Sequence, residues 1–324
     1  MSSLPINLKG RMRGKRVLVT GAAGFIGSRV ARALLAEGCS VLACVRPQGG
    51  NERLRGVDGD LTLLPLDLSS FEVKELLGLK FKPEWIFHLG AYGVGIGQND
   101  PARMAAVNVR GTRELLEYAH ATGVERFIHC GSCFEYPSGE MLAEDVSPNP
   151  VSEYGVSKAA AGELVQQFCR QKGLPAVTLR PFTVYGPGED RQRLVSSVIY
   201  AVLSGTFLKL TTGKQTRDFI FIDDVVAAFL AAAVARNVTA ETFNAATGIE
   251  MSVKALVLKI IDLMGSKLAP EFGALPHRPS EYWRLSGSPA KAAAQLHWRP
   301  ATSLEDGLRA TIAWISAQEK ILKQ

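Results

Sequence analysis

The sequence predicts an α/β protein built on a doubly wound parallel sheet, with a smaller α/β region interleaved toward its C-terminus. Three observations carry that prediction. An apolar run, Arg16-Val17-Leu18-Val19-Thr20, leads directly into Gly21-Ala22-Ala23-Gly24-Phe25-Ile26-Gly27 and then into a helical pattern reaching about Glu37. Strand-like and helix-like segments alternate from there through residue 180, as they do where parallel strands are joined by crossover helices. The chain of 324 residues is 47% hydrophobic, enough to bury one large core or two unequal ones.

The glycine turn is the first element with chemical content. A strand, a glycine turn and a helix in that order bring backbone N–H groups and the positive end of a helix dipole to one point, where a pyrophosphate can bind. Gly21 allows the tight turn, Gly24 lets the backbone approach the phosphates, and Gly27 lets the helix pack close on the strand. Gly21, Gly24, Phe25, Ile26 and Gly27 are therefore candidate cofactor-binding residues. The second strand, Ser40–Val45, ends without the Asp or Glu that accepts hydrogen bonds from the ribose of NAD, and the next residue is Arg46. A guanidinium here suits a 2'-phosphate, with Arg29 or Arg53 as helpers. NADP, as NADPH, is the expected cofactor and NAD the alternative.

Further strands are expected at Leu61-Thr62-Leu63-Leu64-Pro65-Leu66-Asp67-Leu68 and at Trp85-Ile86-Phe87-His88-Leu89-Gly90-Ala91, and a long helix carrying Asn108 over about 101–122. The fifth strand, Arg126-Phe127-Ile128-His129-Cys130-Gly131-Ser132, runs into Ser132-Cys133-Phe134-Glu135-Tyr136. His88 and His129, inside strands, are read as packed rather than catalytic. After Ser147-Pro148-Asn149-Pro150, Tyr154-Gly155-Val156-Ser157-Lys158 opens a helix to about Gln171, which puts the Tyr154 hydroxyl and the Lys158 ammonium on one helix face. A nearby ammonium favours a phenolate and brings a phenol of pKa about 10 toward working range. Ala176-Val177-Thr178-Leu179-Arg180 is the sixth strand, leading into Pro181-Phe182-Thr183-Val184-Tyr185-Gly186-Pro187-Gly188.

The G-x-x-G-x-x-G spacing, with Ser132, Tyr154 and Lys158 following in this order, resembles the extended branch of the short-chain dehydrogenase/reductase superfamily, which comprises sugar-nucleotide epimerases, dehydratases and ketoreductases. The resemblance covers nearly the whole chain from Lys15. It implies a Rossmann dinucleotide-binding domain over 15–180, with returning segments at about 215–245, and a smaller, interleaved substrate-binding region over 181–324. It implies Ser132, Tyr154 and Lys158 as the catalytic residues, with Lys158 also on the nicotinamide ribose and Ser132 on the substrate oxygen. Asp67 and Leu68 would meet the adenine, Leu89 and Ala91 would pass beneath the cofactor, and Pro181 would lie near the nicotinamide, while Asn108 resembles a buried structural asparagine. On the substrate side, Thr183 stands where the family usually has Asn. Thr216-Arg217-Asp218-Phe219 and His277-Arg278-Pro279-Ser280-Glu281 imply Arg217 and Arg278 on a diphosphate and Glu281 on a ribose. A homodimer pairing the helices at about 101–122 and 154–172 is also implied.

Composition narrows the rest. The basic stretch over residues 1–16 has no apolar h-region, and no run of 18 uninterrupted apolar residues occurs, so a cytoplasmic protein with no membrane partner is expected. Five scattered cysteines, an odd number, fit reduced thiols, and no metal-ligand spacing is present. The net charge of +6 is dispersed without interleaved aromatics, which argues against nucleic acid.

The family's reactions separate at the residues after Ser132. 4,6-Dehydratases carry an Asp-Glu pair there; this chain has Cys133-Phe134, with Glu135 close by. Enzymes making GDP-fucose place a Cys two residues before the Tyr, whereas Cys133 lies three before Tyr136. On a strand-like segment that turns its side chain elsewhere, so Cys133 is read as packing. Two readings remain: an NAD-retaining nucleotide-sugar 4-epimerase resembling UDP-galactose 4-epimerase, and an NADPH-dependent reductase of a nucleotide-activated 4-keto-6-deoxy sugar. In the reductase Tyr154 is the general acid, assisted by Ser132 and Lys158; the missing carboxylate at the end of the second strand and Arg46 favour it, so the reductase is the expected function and the epimerase the alternative. Arg217 and Arg278 speak against a dihydroflavonol or aldehyde reductase with an uncharged substrate, and Tyr154 and Lys158 against a cofactor-sensing regulator.

Overall fold

The computed structural model describes residues 10–95 and 97–322, so residues 1–9 of the basic stretch lie outside it. Its centre is a seven-stranded sheet in which every pairing is parallel. In chain order the strands are β1 (Arg16–Thr20), β2 (Ser40–Val45), β3 (Leu61–Pro65), β4 (Trp85–His88), β5 (Arg126–Cys130), β6 (Gly139–Leu142), β7 (Ala176–Pro181), β8 (Thr183–Tyr185), β9 (Lys209–Leu210), β10 (Thr216–Phe221), β11 (Glu241–Ala245), β12 (Glu250–Ser252), β13 (Glu271–Phe272) and β14 (Leu285–Gly287). The central sheet runs β3-β2-β1-β4-β5-β7-β11. The order reverses between β1 and β4, and the crevice at such a switch point is where doubly wound sheets bind ligands.

Alternation along each strand feeds two cores. Val17, Val19, Val41, Ala43, Phe87 and Ile128 pack on the side covered by the helices Phe25–Ala36 and Ile222–Val234. Leu18, Leu42, Ile86, Phe127 and Ala176 pack on the side of the helices Gly111–Thr122 and Glu153–Lys172. Strands buried on both faces read as continuous apolar runs, which is why they stand out in the sequence. The helix expected over 101–122 is interrupted: Pro101–Met104 and Gly111–Thr122 flank a π-helical segment, Ala105–Arg110, that contains Asn108.

In the C-terminal half, the helix Ile222–Val234 and β11 belong to the central sheet's layers, whereas β10 pairs with β8 and β12 in a separate three-stranded sheet. Strands β6 and β14 pair at the edge of a third apolar cluster formed by Cys133, Tyr136, Leu142, Phe182, Ala246, Tyr282 and Leu285. No helix among the described residues is long and apolar enough to cross a membrane.

Candidate active site

The glycine turn is forced by contact. Gly21 has φ +65°, and a Cβ there would lie 2.6 Å from the Gly90 nitrogen in the turn after β4. A Cβ on Gly27 would lie 2.1 Å from the Gly21 carbonyl oxygen. Gly24 is the N-cap of the helix Phe25–Ala36, which has no side-chain cap. Its first-turn N–H groups, those of Phe25, Ile26 and Gly27, are donors without intrahelical acceptors. Beside the turn lies a cavity of about 350 Å³ lined by Gly21, Gly24, Arg46, Asp67, Leu68, Leu89 and Ala91. Phe25, Ile26 and Gly27, and Pro181 at the end of β7, lie outside that lining.

Charge around this cavity differs in part from expectation. Hydrogen bonds from the Ser69 hydroxyl and N–H hold the Asp67 carboxyl below its ordinary range, with the Arg103 and Arg46 charges adding to the effect. Arg46 is exposed at the lining. Arg29 does not assist it: its guanidinium donates to the Pro187 carbonyl at 2.8 Å and pairs with Asp223. Arg53 lines the cavity but donates to the carbonyls of Gly188 and Ala23, strapping the glycine turn to the 188 loop. Sequence reasoning also missed Glu52 and Arg103 in the lining, because both come from elements outside the strand ends that it searched.

Ser132 closes the fifth strand's extension and caps a 3-10 turn, Cys133–Glu135. That turn corrects the strand-like reading of the segment. Cys133 packs beside Tyr136, Leu142 and Phe182, and burial pushes its thiol up to about 12, so it is packing for a different geometric reason. The Ser132 Oγ accepts from the Phe134 N–H at 3.2 Å, and the Ser132 N–H donates to Glu135 Oε1 at 2.7 Å. Glu135 is fully buried and pairs with Arg180 Nε at 2.8 Å. Its orientation was legible in principle, since Ser132-x-x-Glu135 has the spacing of a capping box.

Tyr154 enters from the first turn of the helix Glu153–Lys172, half-buried and edge-on to Phe134 at a centroid distance of 6.2 Å. Burial raises its phenol above the ordinary value, and the nearby Ser132 hydroxyl works against that rise. The expected lowering by Lys158 is not what dominates. Lys158 is itself buried, burial lowers its ammonium, and its Nζ lies 3.4 Å from His129 Nε2. Charge is costly on both groups in a site shielded from water.

A polar network lies beneath the pair. Asn108 accepts from the Tyr92 N–H at 2.8 Å and donates to the Tyr92 carbonyl and to Ser157 Oγ, tying the turn after β4 to the Tyr154 helix. His88 bridges Thr20 and Thr112 and is held neutral by burial, its pKa pushed down to about 3. His129 sits between Thr178 and Lys158, also held well below its ordinary value.

The substrate candidates are not all brought to one point. Arg217 and Glu281, expected to face a ligand, face each other at 2.5 Å, and Arg217 also donates to the Tyr282 carbonyl. Pairing of opposite charges across a half-buried gap is favourable before any diphosphate arrives. Arg278 is exposed on the turn whose carbonyl accepts from the Glu281 N–H, and Thr183 is half-buried in β8.

The cavity fits a dinucleotide by its chemistry: a glycine floor that a Cβ would fill, the uncapped helix N-terminus at Gly24, and an acceptor carboxylate at Asp67. Residues 17–246 match the model of the NAD dependent epimerase/dehydratase family. A UDP-glucose 4-epimerase of Mycolicibacterium smegmatis is 34% identical over 308 residues, covering 92% of this chain and 97% of that protein. The solved UDP-glucose 4-epimerase of Thermotoga maritima with UDP-glucose superposes with a TM-score of 0.86 at 30% identity, covering 94% of this chain and 99% of that one. The Thermus thermophilus UDP-glucose 4-epimerase complex with NAD does so with a TM-score of 0.83 at 29% identity, covering 93% and 99%. The chain belongs to the NAD dependent epimerase/dehydratase family, whose members are enzymes acting on sugar nucleotides.

Proposed function

We propose, with that membership as premise, that the protein is a nucleotide-sugar 4-epimerase that retains NAD and acts on a UDP-hexose. The observation that carries this reading is that, among the described residues, no free acid follows Ser132 in the turn Cys133–Glu135. Cys133 is packed in an apolar cluster, Phe134 is aromatic, and both oxygens of Glu135 are engaged by Ser132 N–H and Arg180. Elimination of water needs a second acid-base group facing the sugar; inversion at one carbon needs one group that takes and returns the same proton.

Residues Gly21, Gly24, Phe25, Ile26, Gly27, Asp67, Leu68, Leu89 and Ala91 would hold NAD, with Lys158, Tyr154 and Pro181 toward its nicotinamide end. The chemistry that NAD supplies when bound is reversible hydride transfer at the sugar carbon. Tyr154 removes the proton of the sugar 4-hydroxyl and later returns it to the same oxygen, while Ser132 holds that oxygen by a hydrogen bond. Burial raises the phenol, and a charged Lys158, one helical turn on, would work against that rise. Arg217 and Arg278 would take the nucleotide diphosphate, Arg217 exchanging its Glu281 partner for it, and Thr183 the sugar side. A homodimer pairing the helices at about 101–122 and 154–172 would bring Val156, exposed on the Tyr154 helix, to its interface.

Arg46 favours a second reading, an NADPH-dependent ketoreductase, because no carboxylate at the end of β2 repels a 2'-phosphate. One experiment separates the two. Stoichiometric NAD released on denaturation, with interconversion of UDP-glucose and UDP-galactose by protein given no cofactor, is the expected result. An empty protein that binds NADPH far more tightly than NADH and does not interconvert the sugars refutes the epimerase and gives Arg46 its phosphate.

A further inference from the structure

We propose that Glu135 is the positioning residue of this site: its carboxylate holds Ser132 so that the Ser132 hydroxyl faces Tyr154. The proposal rests on the reading of Ser132 and Tyr154 as the acid-base pair. Glu135 Oε1 accepts from the Ser132 N–H at 2.7 Å while Ser132 Oγ accepts from the Phe134 N–H at 3.2 Å, a reciprocal clasp around a single 3-10 turn. Because the Phe134 N–H occupies one lone pair of Oγ, the serine O–H and its other lone pair are left for the groups in the site.

The carboxylate is itself anchored. Its second oxygen takes Arg180 Nε at 2.8 Å, and the guanidinium lies 4.5 Å from the centre of the Tyr136 ring, whose hydroxyl donates to Asn244 Oδ1 at 2.9 Å. Arg180 is in β7 and Asn244 in β11, so the clasp is referred to two adjacent strands of the central sheet. Room for slippage is small: a Cβ on Gly131 would sit 2.6 Å from Glu135 Oε1, and one on Gly162, in the helix that carries Tyr154 and Lys158, 3.4 Å from Oε2. The negative charge also bears on Lys158, raising its ammonium against the effect of burial. With both oxygens committed, Glu135 acts through Ser132 and does not reach the substrate.

A double-mutant cycle tests this, with Glu135→Gln and Ser132→Ala made singly and together. It is read by kcat and KM for UDP-hexose interconversion, by Tm, and by backbone hydrogen exchange over residues 132–136. Glu135→Gln is expected to lower kcat on the order of 10²-fold, the scale of a mispositioned reacting group, with KM unchanged and faster exchange at 132–136. In the Ser132→Ala background the same change should have little further effect on kcat, since two residues acting as one unit are not additive. Wild-type kcat in Glu135→Gln, or a loss that multiplies with that of Ser132→Ala, overturns the proposal. If Glu135→Gln does not fold, the paired variant Glu135→Leu/Arg180→Met removes both charges together; a folded paired variant with reduced kcat supports the proposal and one with wild-type kcat overturns it. If the wild-type chain interconverts no UDP-hexose, the functional reading fails by itself. Exchange at 132–136 then decides: acceleration in Glu135→Gln supports the clasp, and unchanged exchange overturns it.

Discussion

Gly27→Ala and Gly24→Ala should separate the structural glycine from the ligand-facing one. A Cβ on Gly27 would sit 2.1 Å from the Gly21 carbonyl oxygen and 2.8 Å from its carbon, both backbone atoms that no side-chain rotation can move. Carbon and oxygen ordinarily stay about 3.3 Å apart, so the helix must retreat from the turn by roughly 1 Å. Overpacking of that kind costs about 1–3 kcal/mol, and rigid backbone on both sides puts Gly27→Ala near the upper end, about 3 kcal/mol. At about 2–4 °C per kcal/mol for a large domain, Tm should fall by roughly 6–12 °C. Gly24 is exposed, has φ −74°, and its added Cβ would lie 3.0 Å from the same oxygen, a tight but single contact. Gly24→Ala should therefore cost less than ~1 kcal/mol in stability while weakening dinucleotide binding at least tenfold, because the methyl group stands at the mouth of the open N–H groups. Thermal unfolding and calorimetric titration with NAD on stripped protein read the two effects separately. A Gly27→Ala protein with wild-type Tm, or a Gly24→Ala protein with wild-type affinity for NAD, would refute the reasoning.

Three further outcomes follow from the same geometry. Tyr154→Phe should lower turnover by about 10²–10⁴-fold with NAD still retained, measured by product formation and by nucleotide released on denaturation; unchanged turnover would remove Tyr154 from the chemistry. Arg217→Ala should weaken UDP-hexose binding by about 1.5–3 kcal/mol, whereas Glu281→Gln, which frees the guanidinium, should strengthen it in calorimetry; if both variants bind more weakly, Glu281 is itself a ligand residue. Glu189, with a side chain only 5% exposed, has its carboxyl pushed by burial up to about 7. An acid with a raised folded-state pKa carries no penalty below its unfolded value and the full penalty above the folded one. Glu189→Gln should therefore gain stability over wild type by roughly 1–3 kcal/mol as pH rises from about 4.5 to 8, read by urea unfolding, and a difference that does not change with pH would contradict it.

The reductase preference in the sequence came from the missing carboxylate at the end of β2 and from Arg46, whereas the relatives compared above are UDP-glucose 4-epimerases. An arginine at the end of β2 marks what the cavity could accept at one point. It carries no record of the groups contributed by Glu52, Arg53 and Arg103 from other parts of the chain.

Much of this protein was written locally. The doubly wound sheet was legible because strands buried on both faces must be apolar throughout, and the glycine turn because Gly21 and Gly27 meet within seven residues of chain. The shared helix face of Tyr154 and Lys158 follows from the pitch of one helix. What the tertiary structure alone decided are the pairings and the solvation. Arg217 meets Glu281 across 64 residues and Arg180 meets Glu135 across 45, so two ligand candidates became a pair and a neighbouring acid became a clasp. The Tyr154 phenol rises instead of falling because desolvation depends on everything packed around the hydroxyl. Short-range geometry is a property of consecutive residues, whereas charge pairing and burial are properties of the segments that folding brings together.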